Sequence, residues 1–190
     1  MKIISVFAAA ILLSGCLTSS PRSVTLWNLE FHGFSAERRS PAPYGPTRLL
    51  QVSVASPADN RSILVERVDG SVAFDPYNEY AAAPALLLRN LANEAMLSSG
   101  LFASVVGSAS SARTDCSMEI VFTRFALDCR NEKGLREAKV GVLLRLVRKG
   151  EIERVVQADG RADAQSGNYG KAFSEAASQA MTDALAAIVR

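Results

Sequence analysis

The chain has 190 residues, 48% of them hydrophobic, and its 21 basic residues nearly balance its 19 acidic ones. A chain of this length and apolar content can bury a core as one domain without disulfide or metal staples. The small net charge excludes the strong electrostatic footprint of a nucleic-acid-binding protein.

The first fifteen residues have the pattern of a lipoprotein signal peptide. A short positive segment precedes an eleven-residue apolar run, Ile3–Leu13. As a helix this run would span about 16 Å, well short of the ~30 Å hydrocarbon core of a bilayer. It is therefore typical of a signal peptide and not of a membrane span. The run closes on the sequence LSGC, which ends at Cys16 and has the pattern of a bacterial lipobox.

Cys16 is accordingly predicted to be the lipidated N-terminus of the mature protein, with residues 17–22 as a polar tether and residues 23–190 as a single periplasmic domain. Leu17 follows the cysteine, where an aspartate would favour retention at the inner membrane. The pattern therefore indicates the periplasmic face of the outer membrane, where several acyl chains would anchor the protein stably. An ordinary signal peptide with a chance cysteine is the alternative.

Alternating apolar and polar residues predict four strands in the first part of the domain. Asp69-Gly70, between the third and the fourth strand, is the strongest hairpin signal in the chain. His32–Thr47, with three prolines and two glycines, is predicted to be an exposed loop. The four strands are Ser23–Phe31, Arg48–Ser56, Ser62–Val68 and Ser71–Phe74.

An amphipathic helix is predicted to start at Pro84, since proline is tolerated in a first helical turn. Gly100 lies where a left-handed cap would end the helix, so we predict a positive φ there. Leu86 and Leu97 lie among polar residues, about 20° apart around the helix and ~16 Å apart along it. The apolar stripe comprises Pro84, Leu87, Leu88, Leu91, Ala92 and Ala95.

Leu86 and Leu97 have two open interpretations. Either they contact a partner, or they are covered by the linker Gly107–Asp115 or by another copy of the chain.

The second half of the domain is predicted to contain four more strands and a long helix, Tyr169–Val189, with Asn168 as its N-cap. The second and third of these strands are expected to pair antiparallel. Together the elements predict an α+β fold, a largely antiparallel sheet of six to seven strands with two main helices packed on one face. The strands are Leu101–Val106, Met118–Leu127, Lys139–Val147 and Ile152–Ala158.

Catalytic chemistry has little support in the sequence. The single histidine, His32, lies in a predicted loop, and no metal-ligand or phosphate-binding motif is present. The carboxylates Asp115, Glu119 and Asp128 are not spaced to act as an acid and base pair. We therefore predict a protein that is not an enzyme and needs no metal or cofactor.

Cys116 and Cys129 remain as thiols, and the periplasm permits disulfides. A straight strand between them would hold their ends about 40 Å apart, whereas bridged Cα atoms lie roughly 4.4–6.8 Å apart. A disulfide would require the segment to fold back, and the sequence leaves that open.

Several motifs follow one another in order along the chain. The lipobox is followed by NRSILVER (Asn60–Arg67), by YNEYA (Tyr77–Ala81) running into Pro84, and by Leu-Phe after a Ser-Gly helix end. This order resembles the ABC-type transport auxiliary lipoproteins of the PqiC-like group, with their D-R-x-x-I-V-x-R stretch, aromatic-Ala-x-x-P helix start and S-G-L-F helix end. An alanine-rich last helix also fits. Asn60 replaces the usual aspartate, and Tyr80 the usual tryptophan.

The resemblance implies an outer-membrane-anchored subunit, without catalytic activity, of an MCE-type phospholipid transport system. Its partners would be MCE-domain or ABC transporter components, the membrane through its N-terminal lipid, and phospholipid. Whether the protein forms a homo-oligomer stays open. Tyr77 and Tyr80 join Leu86 and Leu97 as candidate contacts with a partner or with lipid.

Two other functions remain open from the sequence. One is a lipoprotein that only assembles or plugs another outer-membrane protein, and the other is a periplasmic domain that binds a small ligand.

Overall fold

The computed structural model describes residues 23–33, 41–130 and 135–189. The signal peptide, Cys16 and the tether lie outside the described residues, so their assignment stays a prediction. The described residues form eight strands and two helices. The strands are β1 Thr25–Trp27, β2 Thr47–Val54, β3 Ser62–Arg67, β4 Val72–Tyr80, β5 Val105–Gly107, β6 Cys116–Cys129, β7 Glu137–Arg148 and β8 Glu151–Asp163. The helices are α1 Pro84–Ser98 and α2 Tyr169–Ile188.

The sheet is organised around β6. One edge of β6 pairs antiparallel with β7, which pairs antiparallel with β8. The other edge has two parallel neighbours, β2 along Cys116–Phe122 and β3 along Leu127–Cys129. β5 lies beyond β2, while β4 and then β1 lie beyond β3. The long strand β6 therefore joins two groups of shorter strands.

The α+β class is confirmed, but the prediction of a largely antiparallel sheet is wrong. Only the pairs β3–β4, β6–β7 and β7–β8 are antiparallel, whereas β1–β4, β2–β5, β2–β6 and β3–β6 are parallel. Alternation along a strand reports which side chains face the core, and it carries no information about the direction of the neighbouring strand. The sheet is therefore mixed.

Both helices bury an apolar surface. The predicted stripe of α1 is buried, together with Met96. In α2 the Asn168 side chain caps the helix by accepting a hydrogen bond from the backbone N–H of Lys171 at 3.1 Å. α2 lies on β7 and β8, whereas α1 contacts β2 and α2. The alanine-rich surface of α2 thus packs on the antiparallel half of the sheet.

The two cysteines lie at opposite ends of β6, and both thiols are free. Thirteen residue steps at ~3.3 Å separate their Cα atoms by about 43 Å. This geometry excludes a disulfide between Cys116 and Cys129.

Gly100 has a φ of 66°, which confirms the predicted left-handed position after α1. A β-branched side chain resists this conformation, so Gly100→Val is expected to lower the free energy of unfolding by about 1 kcal/mol or more. Urea denaturation measures the effect. Gly107→Val is the matched control, because no atom lies within 4 Å of a Cβ placed there. Equal midpoints for the two variants would contradict the assignment.

Candidate docking surfaces

Leu86 and Leu97 lie on the outer surface of α1 and are 53% and 54% exposed. Between them the same surface carries Asn90 and Glu94, which are also exposed. The two leucines therefore form two separate apolar points and not one patch. Within the described residues nothing covers them, so cover by the linker is excluded.

The linker Gly107–Asp115 is held elsewhere. The Arg48 guanidinium, on β2, donates hydrogen bonds to the backbone carbonyls of Ser108, Ser110 and Ala112. These bonds tie the segment to the edge of β2 beside β5. The leucines of α1 remain open to a partner or to a second copy of the chain.

The two tyrosines before α1 differ in exposure. Tyr77 is 52% exposed, whereas Tyr80 is 1% exposed and stacks on Phe125 with ring centroids 5.0 Å apart. Phe173 of α2 contacts the same ring, with centroids 5.7 Å apart. Because Tyr80 belongs to this core cluster, it is not available as a surface contact, contrary to the sequence prediction.

The hydroxyl of Tyr80 is buried and finds no hydrogen-bond partner among the described residues. Burial raises the pKa of Tyr80 well above its usual value, so the hydroxyl stays neutral. A neutral phenol inside an aromatic cluster packs as a large hydrophobic side chain. In the described structure Tyr80 is therefore part of the hydrophobic core.

A cluster of charges that the sequence analysis did not identify surrounds Asp128 on the side of the sheet away from α2. The Asp128 carboxylate lies 2.9 Å from Arg130, 2.7 Å from Lys139 and 3.0 Å from Arg124. Arg124 also binds Glu66 of β3. Hydrogen bonds from Arg130 and then Lys139 hold the pKa of Asp128 far below its usual range, although burial opposes this shift. A carboxylate that stays ionised cannot serve as a general acid.

The other polar candidates lie apart from one another. Glu119 pairs with Arg145 at 3.7 Å on β7, and it lies nine residues before Asp128 on the same strand. The His32 side chain is exposed, and its backbone N–H donates to the hydroxyl of Ser178 at 2.9 Å. Asp115 packs near Gly45 at the start of β6. The structure brings none of them together.

Among the open surface cavities of the described residues, two have volumes well within the range of ligand sites. The first, about 630 Å³, lies at the start of β6 and is lined by Asp115, Cys116, Arg148 and Lys149 among others. The second, about 580 Å³, lies between β1 and the start of α2. The Arg148 guanidinium donates to the buried Cys116 thiol at 3.4 Å. Ligand sites are mostly apolar with a few polar groups, whereas three charged side chains, Asp115, Arg148 and Lys149, line the first cavity.

Two further observations concern metals and membranes. In the described ranges no three His, Cys, Asp or Glu residues gather as a metal-binding group. Neither described helix has the length and apolar character needed to span a bilayer.

Comparisons with known proteins show likeness in the fold. No family model and no curated protein matches the sequence. The structure is similar to protein XCC0632 from Xanthomonas campestris, of family DUF330, with a TM-score of 0.63 and 16% identity over 88% of this chain and 93% of that one. An uncharacterized protein gives a TM-score of 0.59 with 15% identity, over 88% and 97% of the two chains. A PelC dodecamer from Paraburkholderia phytofirmans gives 0.47 with 13% identity, over 80% and 91%.

Proposed function

We propose that this chain is an auxiliary lipoprotein, without catalytic activity, of an MCE-type, ABC-driven lipid transport system. It would act as the docking subunit on the periplasmic face of the outer membrane. The observation that carries the proposal is the likeness to a DUF330 structure over nearly the whole domain, because this is the fold of PqiC-like proteins. The lipobox and the order of the sequence motifs independently suggest the same group.

The surface chemistry supports docking better than catalysis. Among the described residues the ionisable groups are paired, dispersed or exposed, and Asp128 is held ionised by cations. Leu86 and Leu97 are large apolar side chains that gain stability only when something covers them. A docking subunit needs such contacts and requires no nucleophile.

The docking contact is tested with Leu86→Ser combined with Leu97→Ser in the acylated protein. Because each leucine is about half exposed, covering both is worth about 2 kcal/mol. Their loss should therefore lower recovery of an MCE or ABC component from cross-linked membranes by about tenfold or more. The melting temperature should change by about 2 °C or less, since exposed side chains contribute little to folding.

The control is Ile152→Ser combined with Val155→Ser, at two equally exposed positions on β8. This control variant should retain the partner.

If the wild-type protein captures a β-barrel and no transport component, the chain is an assembly or plug lipoprotein. If the leucine variant unfolds, the leucines belong to the core. A small molecule that raises the melting temperature through the first cavity would instead indicate a ligand-binding domain.

A further inference from the structure

Exposed apolar side chains are concentrated on one part of the sheet. Of the twelve large hydrophobic residues exposed in the described ranges, six lie on or directly before β1, on β4 and at the turn between β3 and β4. Each is between 40% and 64% exposed. We name this set the β1–β4 patch; its members are Val24, Leu26, Val68, Val72, Phe74 and Tyr77.

The patch is held rigidly by the sheet. Trp27, next to Leu26, packs on Tyr169 of α2 with ring centroids 6.0 Å apart, and its indole N–H donates to Asn78 at 2.9 Å. Since successive side chains of a strand point to opposite sides, Leu26 points away from α2. On β4 the Asp75 carboxylate accepts the backbone N–H of Tyr77 at 2.8 Å and fixes the bulge beside Phe74.

The distance from the proposed lipid anchor limits which side of the domain can reach the membrane. Six residues lie between Cys16 and Ser23, and the seven steps from one Cα atom to the next span at most about 25 Å when the chain is fully extended. A compact domain of this size has a diameter of about 40 Å. The start of β1 must therefore lie within about 25 Å of the bilayer, and the side of the domain opposite β1 cannot reach it.

We propose that the β1–β4 patch lies against the phospholipid surface that holds the acylated N-terminus. This inference rests on the lipidation of Cys16 that the proposed function includes, and it adds which face of the domain the membrane covers. Apolar side chains on a rigid surface insert at the boundary between headgroups and acyl chains when a lipid anchor keeps them close. The chain would then be oriented at the membrane, with Leu86 and Leu97 left for a protein partner.

The contact is apolar and not electrostatic. The charges beside the patch are of both signs. Glu66, which pairs with Val72, belongs to the charge cluster around Asp128, and Arg61 pairs with Glu79 at 3.7 Å. Such a surface gains little from the negative potential of anionic lipids. The membrane contact should therefore persist when salt shortens the Debye length.

The test places a single indole on or off the patch, since Trp27 is the only tryptophan. In a Trp27→Phe background, Leu26→Trp or Phe74→Trp puts the indole on the patch, and Ile152→Trp puts it on β8. The full-length acylated proteins are reconstituted in vesicles of phosphatidylethanolamine and phosphatidylglycerol that carry brominated acyl chains. We expect bromine to quench the patch indoles about twofold or more above the β8 indole, at low and at high salt.

Flotation of the vesicles separates the two proposals. If the chain does not float with the vesicles, it lacks the lipid anchor, and the proposed lipidation of Cys16 is wrong. A chain that floats with equal quenching at all three positions, or with none, overturns the inference about the patch. If Trp27→Phe lowers the melting temperature, the quenching experiment is replaced by hydrogen exchange of the wild-type acylated chain. The amides of residues 72–77 should then exchange more slowly in the acylated chain than in the unacylated Cys16→Ser chain. The amides of residues 151–155 should exchange at the same rate in both chains. If acylation slows exchange in neither segment, or slows it equally in both, the inference is overturned.

Discussion

Gly160→Ala is expected to lower the free energy of unfolding by about 3 kcal/mol, the upper part of the range for overpacking a core. A Cβ placed on Gly160 would lie 1.9 Å from the carbonyl oxygen of Ala176 and 2.8 Å from the amide nitrogen of Ala180. Both atoms belong to the backbone of α2, so no side chain can rotate to relieve the contact. The whole helix would have to move away from β8.

Urea denaturation and a thermal melt measure this effect. For a domain of this size, 3 kcal/mol corresponds to a fall in melting temperature of about 6–12 °C. Gly107→Ala is the matched control, since a Cβ there meets no atom within 4 Å. An unchanged melt for Gly160→Ala would show that α2 does not approach β8 as closely as the structure places it.

The sequence predicted the local features of the fold well. The stripe of α1, the left-handed Gly100 and the Asn168 cap each depend on residues within one or two turns of helix. The pairing of β6 with β7 was also predicted, because a short polar loop joins two alternating segments. Each of these features is encoded by neighbours in the sequence.

Several strand ends were misplaced, among them both ends of β1 and the start of β5, and two of the other differences have a physical reason. The predicted end of the fourth strand at Phe74 was too early, since β4 continues through Asp75 and Pro76 to Tyr80. Proline is tolerated there because β1 is short and pairs only with Asn78–Tyr80, which leaves the edge of β4 near Pro76 without a partner in the described residues. The predicted end of β8 at Ala158 was too early, because charged residues up to Asp163 still pair with β7.

The sequence could not predict what distant segments bring together. The parallel contacts of β2 and β3 with β6 join residues about sixty to seventy positions apart, and no local pattern records them. The same pairing creates the charge cluster around Asp128, since it places Glu66 beside Arg124. The spacing of four between Arg124 and Asp128 puts both on one side of a strand and was the one available signal. The burial of Tyr80 likewise depends on α2, which lies almost a hundred residues later.

Asp128→Asn should destabilise the domain by about 2–3 kcal/mol at neutral pH, because three cations would lose their shared buried carboxylate. Removing one partner of a fully buried pair costs about 3–5 kcal/mol, and the partial exposure of these cations reduces that cost. Asparagine keeps the size and can still accept the backbone N–H of Arg130. Glu119→Gln is the control, since the pair of Glu119 with Arg145 is exposed and contributes about 1 kcal/mol or less.

The pH dependence separates the charge of Asp128 from its shape. The pKa of Asp128 is lowered in the folded protein, first by the hydrogen bond from Arg130, whereas the unfolded carboxyl has a pKa of about 3.9. The unfolded chain therefore binds more protons as the pH falls, and the stabilisation is complete above about pH 5 and is lost progressively below it. The difference in unfolding free energy between wild type and Asp128→Asn should shrink as the pH falls from about 5 to about 2. A difference that stays constant over this range would mean that the asparagine acts through packing, and that the charge of Asp128 contributes nothing to stability.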